Sequence, residues 1–288
     1  MTVSTNLGTV LASGARRLRT GTSAAVASNA SLEAGLLLAY ALGTTRARLL
    51  SHPDSPVEPA AEQRYRALLE RRALGEPLAY LTGAREFWSL PLKITPAVLV
   101  PRPETELLVE RALALGNVAR ASIADLGTGS GAVALALASE RPHWRVTATE
   151  LSPEALAVAR ANAARLALTG IDFRQGSWFE PLAEERFDLI LSNPPYIASD
   201  DPALDEPSLA HEPRLALTPG ADALACLRSI ARGAPQHLRP GGWLLLEHGT
   251  AQGAALRNEL VLAGLRSVRS HHDLAGHERV TEGQYDPI

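Results

Sequence analysis

The sequence predicts an α/β protein in which a mostly parallel, seven-stranded sheet ends in an antiparallel hairpin and a small helical bundle precedes the sheet. From about residue 120 onward, short apolar runs alternate with helical segments, and this alternation is typical of a parallel sheet covered on both faces. The last two runs, "LRSVRSHHD" and "ERVTEGQY", are joined by "LAGH" without a helix. We therefore expect these two strands to pair antiparallel. The first 85 or so residues show helical patterns.

Two helices are predicted in the N-terminal segment. In "SLEAGLLLAYALG", Ser31 is the expected N-cap and Gly43 the C-terminal stop. The second helix, in "EPAAEQRYRALLERRALG", places Leu68 and Leu69 on one face and arginines on the other, and it ends at Gly75. This pattern indicates a small bundle with one apolar side for each helix.

A connector follows the bundle. The alternation in "LKITPAVLV" predicts an extended ribbon, which the prolines of "REFWSLPLKITPAVLVPRPETE" make stiff. We therefore divide the chain into a helical domain of residues 1–84, a connector of residues 85–105 and an α/β domain of residues 106–288.

The α/β domain contains seven predicted strands. The first five are "ASIADLG", "WRVTATE", "IDFRQGS", "FDLILSN" and "GGWLLLEHG", and the two hairpin strands follow. Helices are predicted in "AVALALASER", in "SPEALAVARANAARLAL" with Ser152 at the N-cap and Pro153 at N1, and in "ALACLRSIARGAPQHL".

A glycine loop closes the first of these strands and opens a helix. Its glycines let the backbone turn sharply and approach a ligand closely, and such a loop can hold NAD, FAD or S-adenosylmethionine, or be only a tight turn. The spacing G-x-G-x-G after Asp125 differs from the dinucleotide pattern G-x-G-x-x-G. An acid beside the loop can serve the ammonium of S-adenosylmethionine directly or through water, which favours this ligand. The predicted contacts are Asp125, Gly127, Thr128, Gly129, Ser130 and Gly131.

Two more strand ends carry candidate cofactor contacts. Glu150 ends the second strand of the domain, about twenty residues after the loop, where an acid can accept hydrogen bonds from both ribose hydroxyls; otherwise it is a solvated acid. Trp178, after the third strand, can lie against the adenine or be a core aromatic.

The fourth strand ends in Asn193-Pro194-Pro195-Tyr196. The prolines stop the strand because they cannot donate to a sheet. A planar NH2 group is a poor nucleophile, and two acceptors, the Asn193 side-chain oxygen and the Pro194 carbonyl, can grip its two N–H bonds and orient it for methyl transfer. Tyr196 can stack on the planar group. The pattern resembles the [D/N/S]-P-P-[Y/F] motif of S-adenosylmethionine-dependent enzymes that methylate planar amino or amide nitrogen, and it predicts Asn193, Pro194 and Tyr196 as catalytic and all four residues as substrate contacts.

Several stretches together resemble the HemK/PrmC family, the N5-glutamine methyltransferases of translation release factors. They include "GEPLAYLTGAREFW", "VLVPRPETELLVE", "ADLGTGSGAVALALA", "NPPYI", "HEPRLAL", "LLLEHG" and "DLAGHERVTEG". The resemblance implies a class I, Rossmann-like methyltransferase domain and a glutamine substrate in the Gly-Gly-Gln loop of a class-1 release factor. It also implies that residues 1–84 help to bind the release factor, and that S-adenosylmethionine meets Asn193 as well as the residues above.

Some positions depart from the family pattern or have open roles. Ser177 stands where the family often has Asp, so the contact to the adenine amino group is open, and Ala223 stands where Gly is expected. Three charged residues, Arg102, Glu104 and Glu106, can form an ion-pair network that fixes the connector or can contact the substrate directly. We favour the ion-pair network. His248 and His277 are interpreted as core or rim histidines.

Composition limits the alternatives. A single cysteine, Cys226, excludes an internal disulfide framework and is interpreted as a small core side chain. The longest apolar run is too short for a membrane span, and His and Cys show no metal-ligand spacing. We expect a cytoplasmic monomer without metal. The net charge is −3, with a basic first hundred residues and an acidic remainder, and this balance disfavours stable nucleic-acid binding.

Three other functions stay open. A related enzyme that methylates a glutamine of a ribosomal protein would use the same motif, and the Pro-Arg-Pro-Glu-Thr-Glu run favours release factors. An adenine-N6 or guanine-N2 nucleic-acid methyltransferase would also use Asn-Pro-Pro-Tyr, but the α/β part is acidic and has no long target-recognition insertion. A binding module that has lost catalysis is disfavoured by the intact motifs.

Overall fold

The chain forms two compact units. The computed structural model describes residues 6–21, 24–116 and 119–287, so the predicted domain limits at residues 1 and 288 lie outside the described residues. The helical unit contains the described residues up to Ala84 together with Pro202–His211, and the α/β unit contains Arg85–Asp201 and the residues from Glu212 onward.

The helical unit is built around buried leucine, alanine and valine side chains. Its helices are α1 (Leu7–Arg19), α2 (Ala24–Ser28), α3 (Ala30–Leu42), α4 (Arg46–Ser51), α5 (Pro59–Ala73) and α6 (Leu78–Thr82). Gly43 ends α3 in the left-handed conformation, with φ of 62°, as predicted. The prediction of Ser31 as N-cap is wrong, because α3 begins at Ala30 and Asn29 occupies the N-cap position.

One arginine of α5 lies inside the helical unit. Leu69 is buried and Leu68 partly buried, as predicted, but the prediction that the arginines all face the other side is wrong for Arg72. Arg72 is 7% exposed and donates to Glu33 from Nε (2.6 Å) and Nη2 (3.0 Å). It also donates from Nη1 to the carbonyl oxygens of Gly75 and Glu76. Because four of the five N–H groups are paired and the charge faces Glu33, the guanidinium can be buried without an unpaired charge.

The α/β unit contains a two-stranded and a seven-stranded sheet. The strands are β1 (Ala84–Phe87), β2 (Leu90–Lys93), β3 (Ser122–Leu126), β4 (Arg145–Glu150), β5 (Ile171–Gln175), β6 (Phe187–Ser192), β7 (Leu238–Glu247), β8 (Arg266–His272) and β9 (Glu278–Gln284). The large sheet has the order β5-β4-β3-β6-β7-β9-β8. Its first five strands are parallel, and β9 pairs antiparallel with both β7 and β8. The predicted sheet with its terminal antiparallel hairpin is confirmed.

Helices follow most of these strands. They are α7 (Glu106–Leu115), α8 (Ala132–Glu140), α9 (Pro153–Arg165), α10 (Arg214–Leu217), α11 (Ala225–His237) and α12 (Gly253–Leu262). Ser152 caps α9 by accepting a hydrogen bond from the Ala155 amide, and Pro153 opens the helix, as predicted. Helix α12, between β7 and β8, was not anticipated.

The connector forms a hairpin and then an irregular segment. Trp88 and Ser89 join β1 to β2 with φ values of 51° and 59°, as a tight hairpin turn requires. The predicted ribbon over "LKITPAVLV" is wrong beyond Lys93, where β2 ends. There the side chain of Asn162, on α9, accepts a hydrogen bond from the Lys93 amide (2.6 Å) and donates one to the Lys93 carbonyl (3.0 Å). The Lys93 backbone is thus paired with a helix side chain and not with another strand.

The strand order places two predicted motifs side by side. The chain runs from β3 outward to β4 and β5, and then returns to the other side of β3 with β6. Ligands of open parallel sheets bind outside the carboxyl ends of the strands at such a reversal. The glycine loop and Asn193 follow the two strands that meet there. Among the described residues, no helix is both long and apolar enough to cross a bilayer.

Candidate active site

A cavity of about 630 Å³ lies at the carboxyl ends of the strands. It is bordered by the glycine loop after β3, the end of β4, the segment after β5, the tip of β6 and the segment that precedes α7. Volumes between roughly 300 and 1,000 Å³ are typical of small-molecule sites. Most of the residues predicted from separate motifs therefore meet at one concave site.

The glycine loop adopts the predicted sharp turn. Gly127 and Gly129 have φ values of 71° and 57°, a region that favours glycine. Both border the cavity, as do Thr128 and Ser130. Gly131 is not among the bordering residues, and a Cβ there would come within 3.3 Å of the Ala159 side chain, so this glycine permits close helix packing.

Asp125 holds the loop in shape. It is 2% exposed and accepts hydrogen bonds from the Thr128 hydroxyl (2.6 Å) and the Ala134 amide (3.2 Å). Burial raises the pKa of Asp125 to about 6, and the charge of Glu150 adds to the rise. The carboxyl borders the cavity, and its contact to a cofactor ammonium stays a prediction.

Glu150 faces the cavity from the end of β4. Its Oε2 accepts from the Gly129 amide and its Oε1 from the Ser152 amide, both at 2.9 Å. The carboxylate thus ties the loop to the start of α9. Further lone pairs on both oxygens can accept hydrogen bonds from hydroxyl groups of a ligand.

Trp178 and Ser177 border the cavity in the segment that follows β5. The Trp178 backbone has a φ of 43°, and its carbonyl accepts a hydrogen bond from the Thr149 hydroxyl. If Gly127 had a Cβ, that atom would lie 3.1 Å from the Trp178 ring. The ring therefore lies against the glycine loop. The Ser177 amide donates to Glu180 (3.1 Å), so an acid three residues later serves this turn.

The four residues at the tip of β6 divide into two groups. Asn193 and Pro195 border the cavity, whereas Pro194 and Tyr196 are not among its bordering residues. The Tyr196 ring packs against the core, and its hydroxyl donates to Glu247 Oε1 at 3.4 Å. Burial raises the pKa of the Tyr196 hydroxyl, and the nearby Glu247 charge adds to this effect. Stacking of Tyr196 on a substrate stays a prediction.

Sequence reasoning missed two partners of this motif. Thr105 accepts a hydrogen bond from Asn193 Nδ2 at 3.2 Å, and it borders the cavity. Glu247, at the end of β7, is 1% exposed, and burial raises its pKa to about 7. Both lie in stretches that the family resemblance had used, "PRPETE" and "LLLEHG", but without assigned roles.

Arg102 forms an ion pair that the sequence did not predict. Its Nη2 donates to Glu212 Oε1 at 2.5 Å, and Glu212 Oε2 accepts from the Val100 amide. The Glu212 side chain is fully buried, whereas Arg102 is a third exposed and borders the cavity. The predicted network with Glu104 and Glu106 is wrong in its partners. Glu106 accepts from the Trp88 amide instead.

The other singled-out residues are accounted for more simply. His248 is buried with both ring nitrogens engaged, by Gly249 and Thr281, so its interpretation as a satisfied core histidine is confirmed. His277 is exposed, and its interpretation stays a prediction. Burial lowers the pKa of His248. Cys226 is only partly buried and borders the cavity, so its interpretation as a core side chain is wrong. Within residues 6–21, 24–116 and 119–287, no cluster of three or more His, Cys, Asp or Glu side chains is suited to a metal ion.

Two family models match the chain. The PrmC N-terminal domain matches residues 9–83, and the Methyltransferase small domain matches residues 103–209. The first match falls on the helical unit, and the second begins at the segment that carries Thr105 and extends past Asn193.

Curated relatives match over most of their length. A release factor glutamine methyltransferase of Xylella fastidiosa is 52% identical over 254 residues, which are 88% of this chain and 92% of the relative. Proteins of the same description from Vibrio cholerae (49% identical, 88% of this chain and 89% of the relative) and Burkholderia pseudomallei (52%, 88% and 91%) are similar to the same extent.

Solved structures share the fold at low identity. The hMettl16 catalytic domain in complex with a MAT2A 3'UTR hairpin has a TM-score of 0.58 and 16% identity, covering 83% of this chain and 87% of that chain. RsmC, a 16S rRNA methyltransferase of T. thermophilus in complex with AdoMet and guanosine, has a TM-score of 0.51 and 20% identity, covering 70% and 49%. At these identities the likeness shows the fold alone.

Proposed function

The chain belongs to the release factor glutamine methyltransferase family, and we propose that its cavity is where a methyl group passes from S-adenosylmethionine to the N5 amide nitrogen of the glutamine in the Gly-Gly-Gln loop of class-1 release factors. The family membership is the observation that supports a release-factor glutamine as the substrate. The resemblance read from the sequence is thereby confirmed. The cavity supports the chemistry, because it joins a glycine loop to Asn193 at the tip of β6.

The cavity residues fit S-adenosylmethionine, which supplies an activated methyl group on a sulfonium. Gly129 borders the cavity, and no atom lies within 4 Å of the position that a Cβ would take there, so the missing side chain leaves room for a ligand. Glu150 offers acceptors for ribose hydroxyls, and Trp178 offers an aromatic face for the adenine. Ser177 borders the cavity at the position where the family often has a carboxylate, and its contact to the adenine amino group stays open. Asp125 acts mainly on the loop.

The substrate amide is held by hydrogen-bond acceptors. A carboxamide NH2 has its lone pair delocalised, so orientation is the main contribution that the protein can make. The oxygen of Asn193 and the carbonyl of Pro194 each accept one N–H, which directs the nitrogen toward the methyl group and favours the positive charge that develops on it. The new N–C bond would form as the S–C bond breaks, which leaves S-adenosylhomocysteine, and the nitrogen would then lose one proton to give the neutral N-methyl amide. A neutral asparagine matches an uncharged substrate.

The helical unit provides the second contact to the release factor. Leu32, Leu36 and Tyr40 are 45%, 36% and 53% exposed, and their spacing places them on one face of α3. A shallow pocket beside Tyr40 is also lined by Arg64 and Arg71. This apolar stripe with a basic border suits a partner whose surface is acidic around an apolar centre, and rim charges of this kind act mainly on the association rate.

Substrate identity is tested by methyl transfer to defined acceptors. The protein is incubated with labelled S-adenosylmethionine and, separately, with a class-1 release factor, a ribosomal protein fraction and DNA, and the labelled residue is mapped by mass spectrometry. We expect label on the glutamine of Gly-Gly-Gln, and none after that glutamine is replaced by alanine. Label on a ribosomal glutamine or on DNA alone would overturn the assignment.

A second measurement tests the helical unit. Replacing Leu36 by glutamate should raise the KM for release factor and leave the affinity for S-adenosylmethionine unchanged, because the two ligands meet different units. Val261→Glu is the matched control, since Val261 is also an exposed apolar helix residue (58%) but lies on α12 of the α/β unit. Equal KM values for the two variants would remove α3 from the binding surface.

A further inference from the structure

The turn that follows β7 is bonded to the end of the motif at the tip of β6. The Gln252 side chain donates a hydrogen bond from Nε2 to the Tyr196 carbonyl oxygen at 2.9 Å. Its Oε1 accepts from the Gly249 amide at 2.8 Å, and the Gln252 backbone amide donates to the Gly249 carbonyl at 2.9 Å. One carboxamide therefore closes the turn of residues 249–252 and joins this turn to the motif.

The two backbone partners fix the direction of the Gln252 carboxamide. The Gly249 amide needs an acceptor, and the Tyr196 carbonyl needs a donor. The side chain meets both needs only with Oε1 toward Gly249 and Nε2 toward Tyr196. A glutamate would present a second acceptor to the Tyr196 carbonyl, and an apolar side chain would leave both backbone groups unpaired. The two hydrogen bonds together therefore require an amide at this position.

Helix α12 supports this carboxamide. Gln252 is its N-cap residue, and the Leu256 amide donates to the Gln252 carbonyl at 2.9 Å. Leu256 and Leu260 are fully buried in the core cluster against which Tyr196 also packs. If Gly249 had a Cβ, that atom would lie 3.2 Å from Gln252 Oε1 and 3.6 Å from the Tyr196 ring. The turn therefore lies directly against Tyr196 and is anchored in the same core.

The motif depends on such bonds because two of its residues are prolines. Pro194 and Pro195 have no amide hydrogen, so neither can donate to a neighbouring element. The peptide that follows Tyr196 is held on both sides, since Gln252 donates to its carbonyl and its N–H, that of Ile197, donates to a backbone carbonyl at 3.1 Å. The ring of Pro195 locks its φ, so only a few rotations separate the Pro194 carbonyl from this peptide. A fixed peptide therefore limits the directions that the Pro194 carbonyl can take.

We propose that Gln252 is a positioning residue for methyl transfer, which holds the Tyr196 carbonyl and thereby keeps the Pro194 carbonyl aligned with the substrate N–H. The proposal rests on the proposed methylation of a glutamine amide and names a residue on which the geometry of that step depends. Gln252 is not among the residues that border the cavity, and both polar atoms of its side chain bind backbone groups. It therefore acts through the motif.

Gln252→Glu tests this role with a nearly isosteric change. The variant keeps the acceptor for the Gly249 amide but turns an ionised oxygen toward the Tyr196 carbonyl, acceptor against acceptor. We expect the kcat for release-factor methylation to fall by about tenfold to a hundredfold, since a misplacement of about 1 Å has an effect of this size. The KM for S-adenosylmethionine should change by less than about twofold, because the glycine loop and Glu150 are unaltered.

The pH dependence separates positioning from a merely structural role. At low pH the introduced carboxyl gains a proton and can again donate to the Tyr196 carbonyl. The ratio of the variant's kcat to that of the unaltered enzyme should therefore rise by about threefold or more from about pH 8 to about pH 5.5. A merely structural role would lower the melting temperature and leave this ratio constant.

The ratio also corrects for other groups that titrate or carry charge near the turn. These groups are present in both proteins, so they act on both kcat values: Tyr196, Glu247, His248, Arg257, Glu278 and Arg279.

Gln252→Met and Gln284→Glu complete the set of variants. Methionine has nearly the same length but no donor for the carbonyl, so Gln252→Met should lose kcat at every pH. Gln284 is the matched control, because its Nε2 also donates to a backbone carbonyl, that of Gly241 at 3.0 Å, and it is likewise partly exposed. It lies at the end of β9 and is not among the residues that border the cavity. Gln284→Glu should therefore keep the unaltered kcat and a ratio that does not change with pH.

The outcomes separate the two proposals. If the unaltered enzyme methylates no release factor, the proposed function fails. If it does so, and Gln252→Met retains the unaltered kcat or the kcat ratio of Gln252→Glu stays constant with pH, only the positioning role fails.

Discussion

The hydroxyl of Ser192 donates a hydrogen bond of 2.7 Å to the carbonyl oxygen of Leu126. These are the last residues of β6 and β3, and they are partners in the parallel register. Ser192 is fully buried, so water does not compete for this bond. The bond joins the two strand tips at the point where the strand order reverses. The glycine loop and Asn193 are therefore held at a constant separation, as a reaction between two bound ligands requires.

Asn193→Ala should nearly abolish methyl transfer. The variant loses the side-chain acceptor for the substrate amide, and removing one such group at a reacting centre costs roughly a hundredfold or more in kcat. Binding of S-adenosylmethionine, measured by calorimetry, should be mostly retained because the loop, Glu150 and Trp178 are unchanged. Asn258→Ala, at an exposed position on α12, is the control. Turnover close to that of the control would remove Asn193 from its assigned role.

Glu150→Ala should weaken binding of S-adenosylmethionine. A hydrogen bond to a charged acceptor contributes about 1.5–3 kcal/mol, so loss of one ribose contact should reduce affinity by roughly tenfold to two-hundredfold, and loss of both by more. The variant also leaves the amides of Gly129 and Ser152 without their acceptor, so its melting temperature should fall. Glu184→Ala removes an exposed acid outside the cavity and should change neither quantity. An unchanged calorimetric affinity for Glu150→Ala would contradict the ribose assignment.

Gly127→Ala should lower cofactor affinity through Trp178. The new Cβ would lie 3.1 Å from the indole ring, so the ring must shift away from the loop. Gly43→Ala is a close control, because Gly43 also has a positive φ (62°) but no atom lies within 4 Å of its Cβ position. Each variant should be destabilised by about 1–2 kcal/mol from the left-handed backbone. Only Gly127→Ala should bind S-adenosylmethionine more weakly; an equal affinity in both would mean that Trp178 does not contribute to binding.

Local sequence signals predicted much of the site. Glu150 is the last residue of a strand, and Gly127, Trp178 and Asn193 follow strand ends, which lie on one edge in a parallel sheet. Their meeting at one cavity could therefore be expected without knowledge of any side-chain contact. The same reasoning located the hairpin at the end of the chain, because the absence of a helix between two apolar runs is visible in the sequence.

The partners of these residues could not be predicted in the same way. Thr105 and Asn193 are 88 residues apart, and Arg102 and Glu212 are 110 residues apart, so no periodic pattern links them. A buried glutamate such as Glu247 looks in sequence like any strand-end acid. The end of the extended segment at Lys93 depends on a hydrogen bond to Asn162, a residue of α9. In each case the deciding interaction comes from another element of the fold.

The ion pair between Arg102, which borders the cavity, and the buried Glu212 should contribute to the free energy of unfolding. Glu212 is fully buried in its side chain, so Arg102→Met leaves a carboxylate without its cation, a change that typically costs about 3–5 kcal/mol. Because Arg102 is a third exposed and solvent screens its charge, we expect a loss below this range, about 2–3 kcal/mol, in urea unfolding. Adding Glu212→Gln to Arg102→Met should recover part of the loss, because the unpaired charge disappears. The comparison also needs the single variant Glu212→Gln. If the double variant loses as much unfolding free energy as the two single variants together, the two side chains are not coupled.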